Sequence, residues 1–176
     1  GGFFQDLGHT VIDHDRESRT GAGEVIFGSG KTAAQISDIT AAMWNHGSNV
    51  LVTRIEADKH AALTGLPDTA SYNEHSQTLT CIQKRVDAPS TKVAVVTAGT
   101  SDISVAEEAA ITAEFFGNRV ERIYDVGVAG LHRLLNRLDD LREARVLVVV
   151  AGMEGALPSV VGGLVDKPVI AVPTSI

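Results

Sequence analysis

The second half of the chain alternates between apolar runs and amphipathic segments. Lys92–Thr97 is rich in β-branched residues, which is typical of a strand buried on both faces of a parallel sheet. A helix over Ser104–Phe116, ending at Gly117, and a strand over Arg119–Tyr124 are predicted next. The remaining predicted elements are one helix with leucines at helical spacing (Leu131, Leu134, Leu135, Leu138 and Leu141), a strand Arg145–Val150, a short segment Pro158–Val165 and a strand Pro168–Val172. Four strands with crossover connections predict a right-handed, doubly wound parallel sheet of the α/β class, in three αβα layers.

The first half is less regular after a charged opening over residues 13–17. A helix is predicted over Lys31–His46, because Thr32 and Gln35 have capping-box spacing and Gly47 stands where a helix-ending glycine is expected. The other predicted elements are a strand Glu24–Phe27, a strand Asn49–Arg54, a short helix ending at Leu63 and a strand Thr78–Gln83.

The two halves meet at Asp87–Thr91, where proline and small polar residues interrupt the structured pattern as a linker does. We therefore expect a small α/β N-terminal domain over residues 1–88 and the doubly wound domain over residues 89–176.

Composition and charge exclude several classes of function. The 176 residues have a formal net charge of −7, so no global positive field attracts nucleic acid. The single cysteine cannot form an internal disulfide, and no signal segment opens the chain. Its apolar runs are far shorter than the ~20 residues that a membrane-spanning helix needs. These features predict a soluble cytoplasmic protein with no membrane or nucleic-acid partner.

Candidate chemistry lies in the loops that follow the four strands of the second half. Ligands of open parallel sheets bind outside the carboxyl ends of the strands, where loops and helix N-termini converge. Asp125 ends a strand, and Glu154 stands among small apolar residues where a charge has no evident structural purpose. Both are candidate catalytic carboxylates, and enclosure in a pocket would raise their pKa values. Asp102 and Ser104 have an equally good interpretation as helix caps. The four loops predict a small-molecule site.

The first half offers weaker candidates. Gly28–Thr32 opens a helix after a strand, but a phosphate-binding loop needs glycine where Val25 stands, so an anion at the helix N-terminus is the remaining interpretation. The histidines do not have metal-ligand spacing, and no metal ligands are predicted. Residues 13–15 are interpreted as a solvated loop, with a divalent ion as the alternative. Cys81 is interpreted as a strand residue, with a nucleophile as the alternative.

The loop sequences resemble carboxylating enzymes of the carboxyaminoimidazole ribonucleotide mutase (PurE-like) fold, and more narrowly the LarB family. The resemblance rests on long strings and extends into the first half, so it covers nearly the whole chain. The strings are residues 97–102, 124–133, 151–164 and 172–175, together with 4–8, 12–14 and 24–32.

The resemblance implies an enzyme of nickel-pincer cofactor biosynthesis, which serves lactate racemase. The implied reaction carboxylates the pyridinium ring of nicotinic acid adenine dinucleotide with CO2 and hydrolyses the phosphoanhydride, giving pyridinium-3,5-biscarboxylic acid mononucleotide and AMP. Mg2+ is the implied cofactor. A thiolate adds to the ring and makes a dihydropyridine carbon that attacks CO2, after which a base removes the ring proton and the thiol leaves.

By the same resemblance, Glu154 is the leading proton-transfer residue and Asp125 a second carboxylate near the ring. The implied substrate-binding residues are Gly99, Thr100, Ser101, Asp102, Gly127, Gly152, Met153, Pro173, Thr174 and Ser175.

Two departures from related proteins matter. The purine-pathway mutases have a Ser-Ala-His-Arg motif where this chain has residues 125–128, Asp-Val-Gly-Val, which argues against the purine reaction. In the LarB family the catalytic cysteine lies in a helical segment beyond the Val-Pro-Thr-Ser loop, so we expect both ends of the chain to be cropped.

The family also implies a homo-oligomer of dimers assembled into an octamer, and the apolar segment Ser159–Val165 fits either such packing or a core helix.

Two alternatives to the pyridinium reaction stay open. One is an aminoimidazole ribonucleotide carboxylase or mutase, which shares the fold. The other is a non-catalytic nucleotide-binding module, because the chain has no cysteine at the expected position.

Overall fold

The computed structural model describes residues 3–16, 23–126, 130–152 and 156–175. The chain divides into two compact units, Gly1–Val86 and Asp87–Ile176. Within the described ranges, no helix combines the length and the apolar character needed to cross a membrane.

The first unit consists of short strands and two helices. β1 and β2 form an antiparallel pair. The other four strands form a mixed sheet in the order β3-β4-β6-β5, in which only β3 and β4 are parallel. The described elements are β1 (Phe4–Asp6), β2 (Val11–Asp13), β3 (Ile26–Phe27), α1 (Ala33–Asn45), β4 (Val50–Thr53), α2 (Ala57–Ala61), β5 (Ser71–Asn73) and β6 (Thr78–Cys81).

Helix α1 covers one face of this mixed sheet and has the predicted ends. The Thr32 hydroxyl accepts from the Gln35 N–H at 3.2 Å, and the Gln35 side chain accepts from the Thr32 N–H at 3.0 Å, which confirms the capping box. At the other end Gly47 has φ +88°, and the N–H of Ser48 bonds to the carbonyl of Met43, as in a Schellman motif. The apolar face of α1 packs on β4 and β6 through Ile36, Ile39, Met43, Val50, Val52, Leu79 and Cys81.

The first unit also contains three strands that the sequence pattern does not predict. β1 and β2 bury a single apolar side chain, Ile12, while Phe4 and Val11 are more than half exposed. A strand pair with one buried position has no apolar alternation to recognise. β5 is a three-residue edge strand with no buried residue, so it too lacks the pattern.

The second unit is a four-stranded, all-parallel sheet in the order β10-β9-β7-β8. This order is the flavodoxin-like doubly wound arrangement, so the predicted fold class is confirmed. The described elements are β7 (Lys92–Thr97), a 3-10 turn (Thr100–Asp102), α3 (Ile103–Phe115), β8 (Arg119–Ile123), α4 (Leu131–Leu135), α5 (Leu138–Glu143), β9 (Ala144–Ala151), α6 (Ala156–Leu164) and β10 (Val169–Pro173).

The two faces of the parallel sheet bury different helices. Ala106 and Ala110 of α3 pack with Val95 and Val150 on one face. The other face carries the larger core, to which the strands contribute alternate residues and α4, α5 and α6 contribute leucines and a valine. This larger core includes Ala94, Val96, Ile123, Leu134, Leu141, Leu147, Val149, Leu157 and Val161.

The prediction of one leucine-rich helix is wrong, because the segment forms two helices. α4 ends at Asn136 and α5 begins after Arg137. The Arg137 guanidinium donates to Glu121 on β8 and to Asp140 on α5, each at 2.6 Å. This break buries Leu134 and Leu141 and leaves the other helix face, Leu131 and Leu135, 43% and 46% exposed.

Helix α6 lies on the surface and has only one buried face. Leu157 and Val161 point into the core. Gly162 and Gly163 are exposed instead, and no heavy atom lies within 4 Å of the position that a Cβ would occupy at either glycine. Full burial inside one subunit therefore does not describe this helix, and its packing in a homo-oligomer stays a prediction.

Candidate functional site

The candidate site is the edge of the parallel sheet formed by the carboxyl ends of β7 to β10. β7 and β9 are neighbours at the centre of the sheet, although β8 lies between them in the chain. From β7 the chain goes to β8 on one side, and it then crosses back to β9 on the other side of β7. Ligands of doubly wound sheets bind at such a switch point in strand order. The loops that begin at Ala98 and Gly152 flank it.

Asp102 and Thr174 meet directly at this edge. The Thr174 hydroxyl donates to Oδ1 of Asp102 at 2.7 Å. Both residues are buried, with 5% and 8% of their surface exposed. Asp102 belongs to the loop after β7 and Thr174 to the loop after β10, so the bond spans the end of β9. Two residues of the predicted substrate-binding set are thus brought together, 72 positions apart in the chain.

The Asp102 side chain does not cap its own helix. Asp102 occupies the N-cap position of α3, but it makes no side-chain cap hydrogen bond. Ser104 lies inside the first turn of α3, so the capping interpretation is wrong for both residues. The carboxylate of Asp102 is directed to the neighbouring loop instead, which is the geometry expected of a site residue and not of a cap.

Two backbone hydrogen bonds continue the ladder of the sheet into the candidate site. The Val126 N–H donates to the carbonyl of Thr97 at 3.1 Å, and the Thr174 N–H donates to the carbonyl of Ala151 at 2.9 Å. These bonds fix Val126, three residues beyond β8, and Thr174, the first residue beyond β10, against the ends of β7 and β9. These two positions of the candidate site are therefore held by the sheet.

Asp125 has an unusual backbone and an open side chain. Its φ is +58°, in the left-handed region that non-glycine residues adopt rarely. Its carboxylate pairs with the Arg133 guanidinium at 3.2 Å, and the Asp125 side chain is 55% exposed. Both partners of the pair face solvent in the part of the chain that the structure describes, where Asp125 is not enclosed. Gly130 makes room for the pair, because a Cβ there would lie 2.6 Å from Nε of Arg133.

The other predicted site residues that the structure describes lie in the loops of the same edge. Thr100, Ser101, Pro173 and Ser175 are exposed, and Gly99 and Gly152 are half-buried. This arrangement places hydroxyl groups at the surface around the buried Asp102–Thr174 pair. Three predicted residues, Gly127, Met153 and Glu154, lie outside the described residues.

Sequence analysis missed two features beside Asp125. One is Arg133, its ion-pair partner. The other is Tyr124, whose hydroxyl donates to Oε1 of Glu107 at 2.6 Å. Burial raises the pKa of the Tyr124 phenol well above its usual value, and the hydrogen bond to Glu107 raises it further. The spacing of the residues was the available signal. Arg122 and Tyr124 are two positions apart and so share one face of the strand and its extension. The helix α3 that packs there has Glu107 and Glu114 seven positions apart, also on one face.

The polar groups of the Gly28–Thr32 turn are occupied in local structure. Lys31 donates to the carbonyl of Phe27 at 2.8 Å, and the Thr32 hydroxyl serves the capping box. A Cβ at Gly28 would lie 2.8 Å from the Thr53 carbonyl oxygen, so this glycine allows two strands to approach. The Lys31 and Thr32 side chains thus form a tight turn and a helix cap, and an anion at the helix N-terminus stays a prediction.

Cys81 is a buried strand residue, as predicted. It lies in β6, has no exposed surface, and burial raises its pKa to about 11. A thiol of this kind is a poor nucleophile near neutral pH. Among the described residues, no group of three His, Cys, Asp or Glu side chains is arranged to hold a metal ion.

Comparison with known proteins divides the chain at the same place as its structure does. Residues 4–84 match the LarB/PurE-like N-terminal domain, and residues 92–176 match AIR carboxylase.

Two proteins of Methanocaldococcus jannaschii are similar to the chain. An uncharacterized protein is 41% identical over 172 residues, which cover 93% of this chain and 67% of that protein. An N5-carboxyaminoimidazole ribonucleotide mutase is 36% identical over 84 residues, which cover 46% of this chain and 51% of the mutase. With both domains matched in order, the chain belongs to the LarB/PurE-like family.

Proposed function

We propose that the chain carboxylates the pyridinium ring of nicotinic acid adenine dinucleotide with CO2 and hydrolyses its phosphoanhydride. The products are pyridinium-3,5-biscarboxylic acid mononucleotide and AMP, for the nickel-pincer cofactor of lactate racemase. The observation that supports this proposal is the Asp102–Thr174 pair at the switch point of a parallel sheet, in a chain whose two parts match the LarB/PurE-like and AIR carboxylase families.

The chemistry of the edge suits a nucleotide. A buried carboxylate held by a neutral hydroxyl accepts hydrogen bonds from ribose hydroxyls. The exposed hydroxyls of Thr100, Ser101 and Ser175 are donors for phosphate oxygens. Glycines 99 and 152 let backbone N–H groups approach the ligand closely.

The ring chemistry requires a proton acceptor and an electron donor. The pyridinium ring is electron-poor, so a thiolate first adds to it, and the resulting dihydropyridine carbon attacks CO2. A base then takes the proton from that carbon, and the electron pair expels the thiolate and restores the aromatic ring. We assign the base to Glu154 and an orienting role near the ring to Asp125. Cys81 is not the thiolate, because it is buried with a raised pKa.

No protein ligands are assigned to the implied Mg2+, an ion that is commonly held by one or two carboxylates together with substrate phosphates. Asp102 is bonded to Thr174 and Asp125 to Arg133, and no cluster of three potential ligands exists in the described ranges. No step of the reaction is therefore assigned to the metal.

A purine-pathway mutase is the second candidate function, and the match to the ribonucleotide mutase favours it. That reaction moves a proton with a histidine of a Ser-Ala-His-Arg motif, and residues 125–128 of this chain are Asp-Val-Gly-Val. The pyridinium reaction needs no histidine there, so it agrees better with the sequence of this loop.

Incorporation of labelled CO2, followed by mass spectrometry of the products, tests the proposal. Nicotinic acid adenine dinucleotide with Mg2+ and aminoimidazole ribonucleotide are offered in parallel. The chain is compared with a form that also carries the cysteine segment implied by the family. We expect label in a pyridinium dicarboxylate with the extended form. Label in the imidazole product supports the second candidate instead, and no label from either form overturns both.

Two variants separate chemistry from binding in this assay. Glu154→Gln removes the proposed base and is expected to abolish labelling while leaving dinucleotide binding intact. Glu143→Gln is the matched control, because Glu143 is exposed and pairs with Lys92 at the opposite end of the sheet. Binding is followed by the melting temperature, since ligand at a hundredfold above Kd stabilises a protein by about 2.7 kcal/mol. A shift in melting temperature without any turnover indicates a binding module.

A further inference from the structure

Asp125 is held in a left-handed backbone conformation, which is uncommon for residues other than glycine, although aspartate adopts it more readily than most. Three non-glycine residues of the described structure have positive φ, namely Arg54, Gln77 and Asp125, and only Asp125 lies at the carboxyl edge of the parallel sheet. Left-handed backbone at a non-glycine residue persists where neighbouring contacts impose it. The contacts on either side of Asp125 therefore identify what imposes it.

Both neighbours of Asp125 are anchored. The Val126 N–H donates to the Thr97 carbonyl at 3.1 Å, and Val126 is only 4% exposed. On the other side the Tyr124 hydroxyl donates to Oε1 of Glu107 at 2.6 Å. Asp125 is thus the single residue between a backbone anchor to β7 and a side-chain anchor to α3.

Glu107 is itself firmly placed on α3. Its side chain is 16% exposed, and Nε of Arg122 donates to the same oxygen, Oε1, at 2.8 Å. Arg122 also donates at 2.6 Å to Glu114, which lies seven residues, about two helical turns, further along α3. Arg122 alone therefore ties β8 to α3 at two points. The Tyr124 hydroxyl is not needed for that attachment, and its ring already packs against the core on this face.

We propose that Tyr124 is a positioning residue: its hydrogen bond to Glu107 holds the left-handed backbone of Asp125, so that the Asp125 carboxylate stays at the edge of the sheet beside Arg133. The inference rests on the proposed function in so far as Asp125 acts near the reacting ring. The bond sets the direction of a carboxylate whose side chain is 55% exposed among the described residues.

Tyr124→Phe tests the proposal, because it keeps the ring and removes only the hydroxyl. In the labelled-CO2 assay we expect kcat to fall by about tenfold with KM nearly unchanged, since a mispositioned group weakens the transition state more than binding. Tyr72→Phe is the matched control. It removes a phenol hydrogen bond of 2.7 Å to the Ile55 carbonyl in the other unit, and we expect it to leave kcat unchanged.

A double-mutant cycle shows whether Tyr124 acts through Asp125. In an Asp125→Asn background, which itself lowers kcat, Tyr124→Phe should have no further effect on kcat, because the carboxylate it positions is gone. A full, independent effect of Tyr124→Phe in that background contradicts the proposal. If the wild type is active, an unchanged kcat for the single variant Tyr124→Phe also contradicts the proposal.

Amide hydrogen exchange gives a readout that needs no substrate. Tyr124→Phe should accelerate exchange of the Val126 N–H by about fivefold, the loss expected for one anchoring hydrogen bond, while the central strand amides of β7 keep their rates. If the wild type does not turn over the dinucleotide, the proposed function fails, yet this exchange experiment still decides the backbone role of Tyr124. Unchanged exchange at Val126, or a uniform increase across the sheet, overturns that role.

Discussion

The two glycine-containing turns that lead from a strand into a long helix use their polar residues in opposite ways. At Gly28–Thr32 the Thr32 side chain caps α1 and the Lys31 side chain bonds to a nearby carbonyl. At Gly99–Asp102 the residue in the N-cap position, Asp102, makes no cap bond and accepts from Thr174 of a distant loop. The first turn therefore completes its own helix, and the second joins separate parts of a sheet edge.

This difference teaches how to distinguish a structural turn from a functional one. Both turns have glycine, a hydroxyl residue and a charged residue, so composition alone makes them look alike. A hydroxyl that accepts from an N–H of its own helix is held against that helix, which leaves mainly its O–H donor for a ligand. A cap residue that turns away from its helix leaves helix N–H groups and neighbouring hydroxyls available to a ligand.

Removing the bond across the loops has the largest expected effect. Thr174→Val leaves the buried Asp102 carboxylate without its hydroxyl donor, and we expect the free energy of unfolding to fall by about 3 kcal/mol. Urea denaturation measures this change. Asp102→Asn in the Thr174→Val protein is expected to recover part of the loss, because a neutral amide is less costly to bury. No destabilisation by Thr174→Val would contradict the contrast between the two turns.

The glycines of the two turns are expected to differ nearly as strongly. An alanine Cβ at Gly28 would lie 2.8 Å from the Thr53 carbonyl oxygen and 3.0 Å from that of Arg54, so Gly28→Ala should destabilise the protein by about 2 kcal/mol. At Gly99 the nearest atom is Oγ of Ser101 at 3.8 Å, so Gly99→Ala should change stability by less than about 0.5 kcal/mol. Thermal unfolding of the two variants measures both losses of stability, and equal losses would contradict the predicted difference.

Alkaline pH tests whether the buried Cys81 thiol of the first unit contributes to the stability of the fold. Burial raises the pKa of Cys81 from 9.0 to about 11, so the folded protein holds the thiol proton more tightly than the unfolded chain does. This contribution to stability is complete below pH 9 and is lost as the pH rises to 11, by about 2 kcal/mol. Cys81→Ala should lack this decline, and urea denaturation of both proteins across that pH range measures it. Identical pH dependence in the two proteins would contradict the prediction.

The smallest effect is expected from the cap itself. Thr32→Ala removes the capping box and should lower the free energy of unfolding by about 1 kcal/mol without changing dinucleotide affinity. Ser101→Ala should do the reverse, with little change in stability and weaker binding in titration calorimetry. Weaker binding by Thr32→Ala would mean that the Gly28 turn contacts the ligand after all.

Periodicity was enough to predict the parallel sheet but not the small strands around it. The runs at Lys92–Thr97 and residues 145–150 are apolar on both faces, as a central parallel strand requires. β1 and β2 share one buried side chain, so they have no such pattern. The leucines of α4 and α5 do have helical spacing, but the two helices are separated at Arg137, whose side chain donates to Glu121 on β8. Such a tertiary ion pair leaves no signal in local periodicity.

The candidate site was predictable as a set of loops but not as a set of contacts. Asp102 and Thr174 were both identified, yet their meeting depends on the strand order, which places β9 between β7 and β10. Arg133 was missed because its role arises only from its proximity to Asp125. The open side chain of Asp125 was not predicted either, because exposure depends on how the loops pack and not on the local sequence.

The backbone hydrogen bonds of Val126 and Thr174 have a consequence for association with a ligand. Because these bonds hold Val126 and Thr174 against the ends of β7 and β9, these two residues lose their backbone conformational entropy when the chain folds. A ligand that contacts either position meets backbone that is already ordered, so that part of the ordering cost does not reduce its affinity. Pre-organised positions of this kind generally move little on binding. Rigid-body fit is therefore the expected mode of recognition at Val126 and Thr174.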